Sequence, residues 1–225
     1  MMKERGLLTL VAVVACMGLT SAALALTLTS GENALFVADG AVRFKSLANT
    51  GSRELYLGVP DLGVASNRVE TDAIWVSGDN DVTFEYDDSA GKMKASVANS
   101  GGTWSLEYAL EPTCGDWNAL LMILTDRDEG TVLFEDVEMG SEAVGSFSGT
   151  GWNFWTVTDI DLSGDFTLTG TIDLSGSFSG DEVSKVEIKL GCVPGQEPGP
   201  GIPVMPIVAL PLALIAVGAV VWRRR

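Results

Sequence analysis

Acidic residues crowd the turns of this chain, and one group has metal-binding spacing. Asp126-x-Asp128-x-Gly130 resembles half of a calcium loop. Oxygens at alternate positions before a glycine let a chain wrap around a hard cation. A full loop of that kind needs more oxygens and a closing glutamate, so Asp79-Asn80-Asp81 or Asp87-Asp88 would have to join it through the fold. Calcium, at Asp126 and Asp128, is therefore the one cofactor the sequence suggests. A second group is aromatic: Trp152, Phe154 and Trp155 lie within four positions. In a strand the first two share a face and the third points the other way. An exposed pair of flat rings makes a platform for sugar rings. Solvated acidic turns and buried aromatics account for the same residues with no ligand at all. Catalysis has less support. The chain holds no histidine, which excludes a Ser-His-Asp triad, a His-based acid–base pair and a His-ligated zinc. A glycosidase needs two facing carboxylates, and no pair stands out here, so a non-enzyme is expected.

These residues sit on a chain that reads as strand after strand. Short apolar or alternating runs cover 27–30, 34–38, 41–45, 55–57, 73–77, 81–87 and 93–97. Further runs cover 103–110, 117–125, 131–137, 143–149, 152–161 and 182–190. Val82, Phe84 and Tyr86 alternate with Thr83 and Glu85, the period of a strand with one wet face. The run from Trp117 to Thr125 suits a short helix or a central strand; a hairpin with 131–137 is the favoured arrangement. Ile160-Asp161-Leu162-Ser163-Gly164 recurs as Ile172-Asp173-Leu174-Ser175-Gly176, which predicts consecutive strands of a meander with Ser-Gly turns. Many short strands and 26 glycines predict an all-β ectodomain, a single β-sandwich of which the jelly roll is one form.

The two ends give an address. Lys3 and Arg5 precede an apolar run and an Ala23-x-Ala25 site, which marks residues 1–25 as a secretory signal peptide. Val13-Val14-Ala15-Cys16 fits a loose lipobox, a competing route through lipidation of Cys16. At the other end, residues 194–201 form a Pro/Gly linker, residues 202–222 are uncharged, and residues 223–225 are arginines. Twenty-one apolar residues span about 30 Å as a helix, the thickness of a bilayer core. Terminal arginines place that end in the cytoplasm. The exported part, 26–193, is large enough for one domain. With the linker it carries nine basic against 29 acidic residues. Such a surface repels nucleic acid and anionic polymers. Cys114 and Cys192 remain after the leader, and an even pair outside the cytoplasm predicts a disulfide.

The tail resembles the C-terminal sorting signals of the PEP-CTERM type, which exosortases and archaeosortases handle. The likeness rests on Pro198, Pro200 and Pro203, the apolar helix, and Arg223, Arg224 and Arg225. Gln196-Glu197-Pro198-Gly199-Pro200 stands where such tails carry Pro-Glu-Pro, and Ile202-Pro203-Val204-Met205 is similar to an Ile-Pro-Thr-Leu variant. The resemblance implies a sorting transpeptidase as partner and the cell surface or outer envelope as destination; otherwise 202–222 is a plain membrane anchor. The expectation is an exported, surface-anchored or sorted β-sandwich with a structural, matrix or adhesion role. A carbohydrate- or calcium-binding surface module is the rival, with extracellular polysaccharide or envelope components as partners and no nucleic acid. A glycoside hydrolase comes third.

Overall fold

The computed structural model describes residues 26–47, 54–127, 130–178, 184–196 and 199. The leader, the 202–222 segment and the terminal arginines lie outside them. The described chain is all-β: two antiparallel sheets packed face to face as a β-sandwich. Its strands are β1 (Thr27–Ser30), β2 (Val37–Lys45), β3 (Glu54–Gly58), β4 (Arg68–Asp72), β5 (Gly78–Asp87), β6 (Lys92–Asn99) and β7 (Gly102–Ala109). They continue as β8 (Ala119–Asp126), β9 (Thr131–Met139), β10 (Glu142–Phe147), β11 (Gly151–Thr158), β12 (Phe166–Ser175) and β13 (Lys185–Cys192). One sheet has the order β1-β11-β8-β13-β2-β3-β4, the other β10-β9-β12-β5-β6-β7. No helix among the described residues is long and apolar enough to cross a membrane.

Alternation builds the core between the sheets. Val42 and Phe44 of β2, Val186, Ile188 and Leu190 of β13, and Leu120, Met122 and Leu124 of β8 face inward from the first sheet. Val82, Phe84 and Tyr86 of β5 meet them from the second, as their period predicts. Gly170 of β12 is a packing requirement, because a Cβ there would meet the ring of Phe134.

Several expectations need correction. Residues 117–125 and 131–137 do form strands, but not a hairpin. β8 lies between β11 and β13 in one sheet, while β9 lies between β10 and β12 in the other. All eight residues of β8 are buried and both its edges are paired, so β9 has no edge to join. Between Asp126 and Thr131 the chain therefore passes from one sheet to the other. The repeated pentapeptide is not a meander either: Ile160–Gly164 is a loop between β11 and β12, whereas Ile172–Ser175 ends β12. Both copies bury their Ile and Leu, which explains the shared pattern without a shared conformation. Residues 73–77 are not a strand: β4 ends at Asp72. The buried Asn80 ties the segment down by bonding Val76 N and Val76 O, and Trp75 is buried with its indole N–H donated to Lys45 O. Residues 34–38 and 41–45 are not two strands, because a single β2 begins at Val37.

The disulfide expectation holds. Cys114 and Cys192 are joined, with Cα atoms 6.3 Å apart. Beside them β2 carries a bulge. Leu190 pairs Gly40 and Gly191 pairs Ala38, so Asp39 is the extra residue. Gly191 is required there, since a Cβ would run into the Val37 carbonyl. A bulge re-aims side chains, and here it turns Asp39 inward. Its carboxylate accepts bonds from Thr113 N (2.8 Å), Cys114 N (3.1 Å), Trp117 Nε1 (2.9 Å) and the Thr113 hydroxyl.

Candidate functional site

The outward face of the first sheet holds the aromatic group. Trp152 and Phe154 of β11 share that face, their ring centroids 6.3 Å apart, and Trp152 is 51% exposed. Trp155 points the other way and packs on Phe147 with centroids 5.0 Å apart, at the margin of the core. The i, i+2 spacing thus separates the three residues as a strand requires.

Cross-strand register assigns their neighbours. Trp152 pairs Thr125, Thr125 pairs Lys185, and Lys185 pairs Lys45. One row along, Phe154 pairs Ile123, Ile123 pairs Glu187, Glu187 pairs Arg43, and Arg43 pairs Tyr56. Strands two apart lie about 10 Å from each other, a gap that a lysine and a tryptophan close only over a small residue. Thr125 is that residue. The Lys185 ammonium reaches a point 5.1 Å from the Trp152 ring centroid, and the Arg127 guanidinium lies at 5.1 Å as well. Cations at this distance are drawn to the ring's negative face. Beneath them Thr125 is 1% exposed, and its hydroxyl has no hydrogen-bond partner among the described residues.

Glu187 organises the next row. It is 2% exposed and meets Arg43 Nε at 2.6 Å, Lys185 Nζ at 3.1 Å and Lys189 Nζ at 3.6 Å. Burial pushes the Glu187 carboxyl up, but the hydrogen bond from Arg43 and the charges of Lys185, Arg43 and Lys189 outweigh it and hold it below its ordinary value. Burial conversely pushes the Lys185 ammonium down. A carboxyl held low contributes stability that is full above its unfolded pKa, near 4.5, and fades as pH falls through the lower folded value. Glu187→Gln is accordingly expected to cost about 2 kcal/mol at pH 7, since three cations lose their shared counter-charge but keep partial access to water. Urea unfolding from pH 7 down to pH 3 should show the gap from the parent protein closing below about 4.5.

Tyr56 closes the far end of this face, packed with Ala41 and Leu62 in a small cluster separate from the main core. The Arg68 guanidinium lies 3.9 Å from its ring centroid. Five basic residues, Arg43, Lys45, Arg68, Lys185 and Lys189, therefore stand on this one sheet face, with Arg127 at its lip. The other sheet presents Asp79, Asp81, Glu85 and Asp173 across β5 and β12. Neither face carries one sign alone: the first also holds Glu54, Glu70 and Asp72, with Lys45 2.8 Å from Glu54 and Arg68 2.7 Å from Glu70, and the second holds Lys92 and Lys94.

The metal group is less complete. Asp126, at the end of β8, is 5% exposed and accepts a bond from Val132 N at 3.3 Å. Asp128 lies outside the described residues. Asp81 takes a bond from the Thr171 hydroxyl, Asn80 is buried in the loop it holds, and Asp87 accepts from Ser89 and Ala90 in its own turn. Among the described residues no three His, Cys, Asp or Glu side chains form a metal-binding group.

Sequence reasoning missed Arg43, Arg127, Lys185, Glu187 and Asp39. The signal for one set was present: Lys185, Glu187 and Lys189 alternate against Val186, Ile188 and Leu190. No known family model and no curated protein matches this chain.

Proposed function

We propose that this is an exported, non-enzymatic β-sandwich held at the cell surface, where it serves a matrix or adhesion role by gripping glycan. The observation that carries the reading is the half-exposed Trp152 beside Phe154 on the outward face of a rigid sheet. Exposed tryptophan on a well-ordered sheet, with a polar rim, suits the apolar face of a pyranose ring. The strand order supports a jelly roll, because β2, β13, β8 and β11 in one sheet face β5, β12, β9 and β10 in the other, and in chain order these eight cross between sheets at every step except β9 to β10, which pair as neighbours. The remaining strands widen the two sheets at their edges. The leader at 1–25, the membrane helix at 202–222 and the sorting signal at Pro198, Pro200, Pro203 and Arg223–Arg225 are part of the proposal, with a sorting transpeptidase as processing partner.

Trp152→Ala is expected to weaken glycan binding at least tenfold, the loss of about 1.4 kcal/mol or more of ring contact. The fold should survive with a loss of about 1 kcal/mol, as half of the side chain is in solvent already. Binding of the full-length chain to a panel of immobilised oligosaccharides, with and without this substitution, measures it. Deletion of residues 194–225 tests the other half and should release the protein from the envelope into the medium. Absence of binding across the panel would overturn the glycan reading, and unchanged attachment after the deletion would overturn the anchoring.

A further inference from the structure

Resting on the glycan reading, we infer that the sugar bound at Trp152 is an anionic pyranose, carrying a carboxylate or sulfate that sits between Arg127 and Lys185. The Arg127 guanidinium and the Lys185 ammonium each lie over the Trp152 ring, 5.1 Å from its centroid, so a sugar that stacks there displaces a cation from the ring face and must offer it an acidic substituent in exchange. Behind Lys185, three cations, Arg43, Lys185 and Lys189, surround the single carboxylate of Glu187, a positive excess confined to this cluster because Lys45 and Arg68 farther along the face are paired with Glu54 and Glu70. A neutral sugar gives that excess nothing to do. Thr125, in the row between Trp152 and Lys185, is buried with a hydroxyl that bonds nothing among the described residues. The overall acidity of the chain repels polyanions at long range. Binding therefore needs the local basic face, and salt that screens both fields within about 10 Å weakens the short-range preference as well.

The test uses the full-length chain in neutral detergent and four probes of matched length: oligogalacturonate, sulfated galactan, neutral galactan and a single-stranded DNA oligonucleotide. At low salt at least one acidic sugar should bind tenfold or more tightly than neutral galactan. The two acidic probes separate carboxylate from sulfate. Arg127→Gln and Lys185→Gln should each reduce the acidic-to-neutral ratio to about threefold or less. Raising salt to about 0.5 M should do the same in the parent protein. Trp152→Ala should depress both classes of sugar together. Equal binding of acidic and neutral sugars, or ratios unmoved by Arg127→Gln, would overturn the inference while leaving the glycan reading intact. DNA binding as tightly as the acidic sugars would also overturn it, because any polyanion would then suffice. No sugar binding at all would remove both.

Discussion

Replacing Cys114 and Cys192 together by serine is expected to lower stability by about 4 kcal/mol. The bridge closes a loop with a sequence separation of 78. Cutting it returns that loop's freedom to the unfolded chain, and the effect grows only slowly with loop length. The folded state feels the loss locally. Cys192 ends β13, and the Cys114 segment leads into Trp117 and then β8, so the bridge secures both approaches to the sandwich end. Urea unfolding of the oxidised parent and of the double serine variant, each extrapolated to water with its own slope, measures the difference, and the variant's slope should be the steeper because its unfolded chain is less compact. A loss under 1 kcal/mol would mean that local hydrogen bonding already holds the segment without the bond.

The hydrogen bonding in question converges on Asp39, and Asp39→Ala is expected to cost a similar amount, about 3 to 4 kcal/mol. The substitution strands two backbone N–H groups, a hydroxyl and the indole N–H of Trp117, a side chain only 1% exposed. A buried donor left without an acceptor costs about 1–3 kcal/mol, and water reaches only the outer ones. Asp39→Asn keeps one acceptor oxygen and should lose about half as much. Burial pushes the Asp39 carboxyl up, yet its donors outweigh burial and hold it below 3.8. Its contribution is therefore complete above about pH 3.8 and fades as pH falls through the lower folded value. Thermal unfolding at pH 7 and pH 3 should show the parent approaching the variant in acid. Because Asp39 bonds the amide of Cys114 itself, the two predictions are coupled. Combining Asp39→Ala with the double serine variant should cost less than the two losses added.

Alternation made the sandwich legible. Val82, Phe84 and Tyr86, or Trp104, Leu106 and Tyr108, announce strands because one face of each is wet and the other packed. It fails for β8, where burial on both faces removes the period and leaves sheet membership undetermined. The hairpin expectation failed there for that reason: sheet choice depends on which edges are already taken, a property of the whole fold. Asp39 was illegible for a related cause. Its inward turn arises from a bulge set by Gly191 on a strand far away in sequence. The face separation of Trp152 and Phe154 from Trp155 was readable, being local. Their cationic neighbours were not, since Arg43, Arg127 and Lys185 reach that face only through the pairing of β2, β8 and β13.

The most direct test of the glycan-binding face is the indole N–H spectrum of the full-length protein during titration with oligogalacturonate. Trp75 and Trp117 are buried, at 6% and 1% exposure, and serve as internal controls against the half-exposed Trp152. The Trp152 signal should move and saturate while the Trp75 and Trp117 signals stay in place. A saturating shift that leaves Trp152 untouched, or no shift with acidic and neutral sugars alike, would contradict the assignment of this face as the binding site.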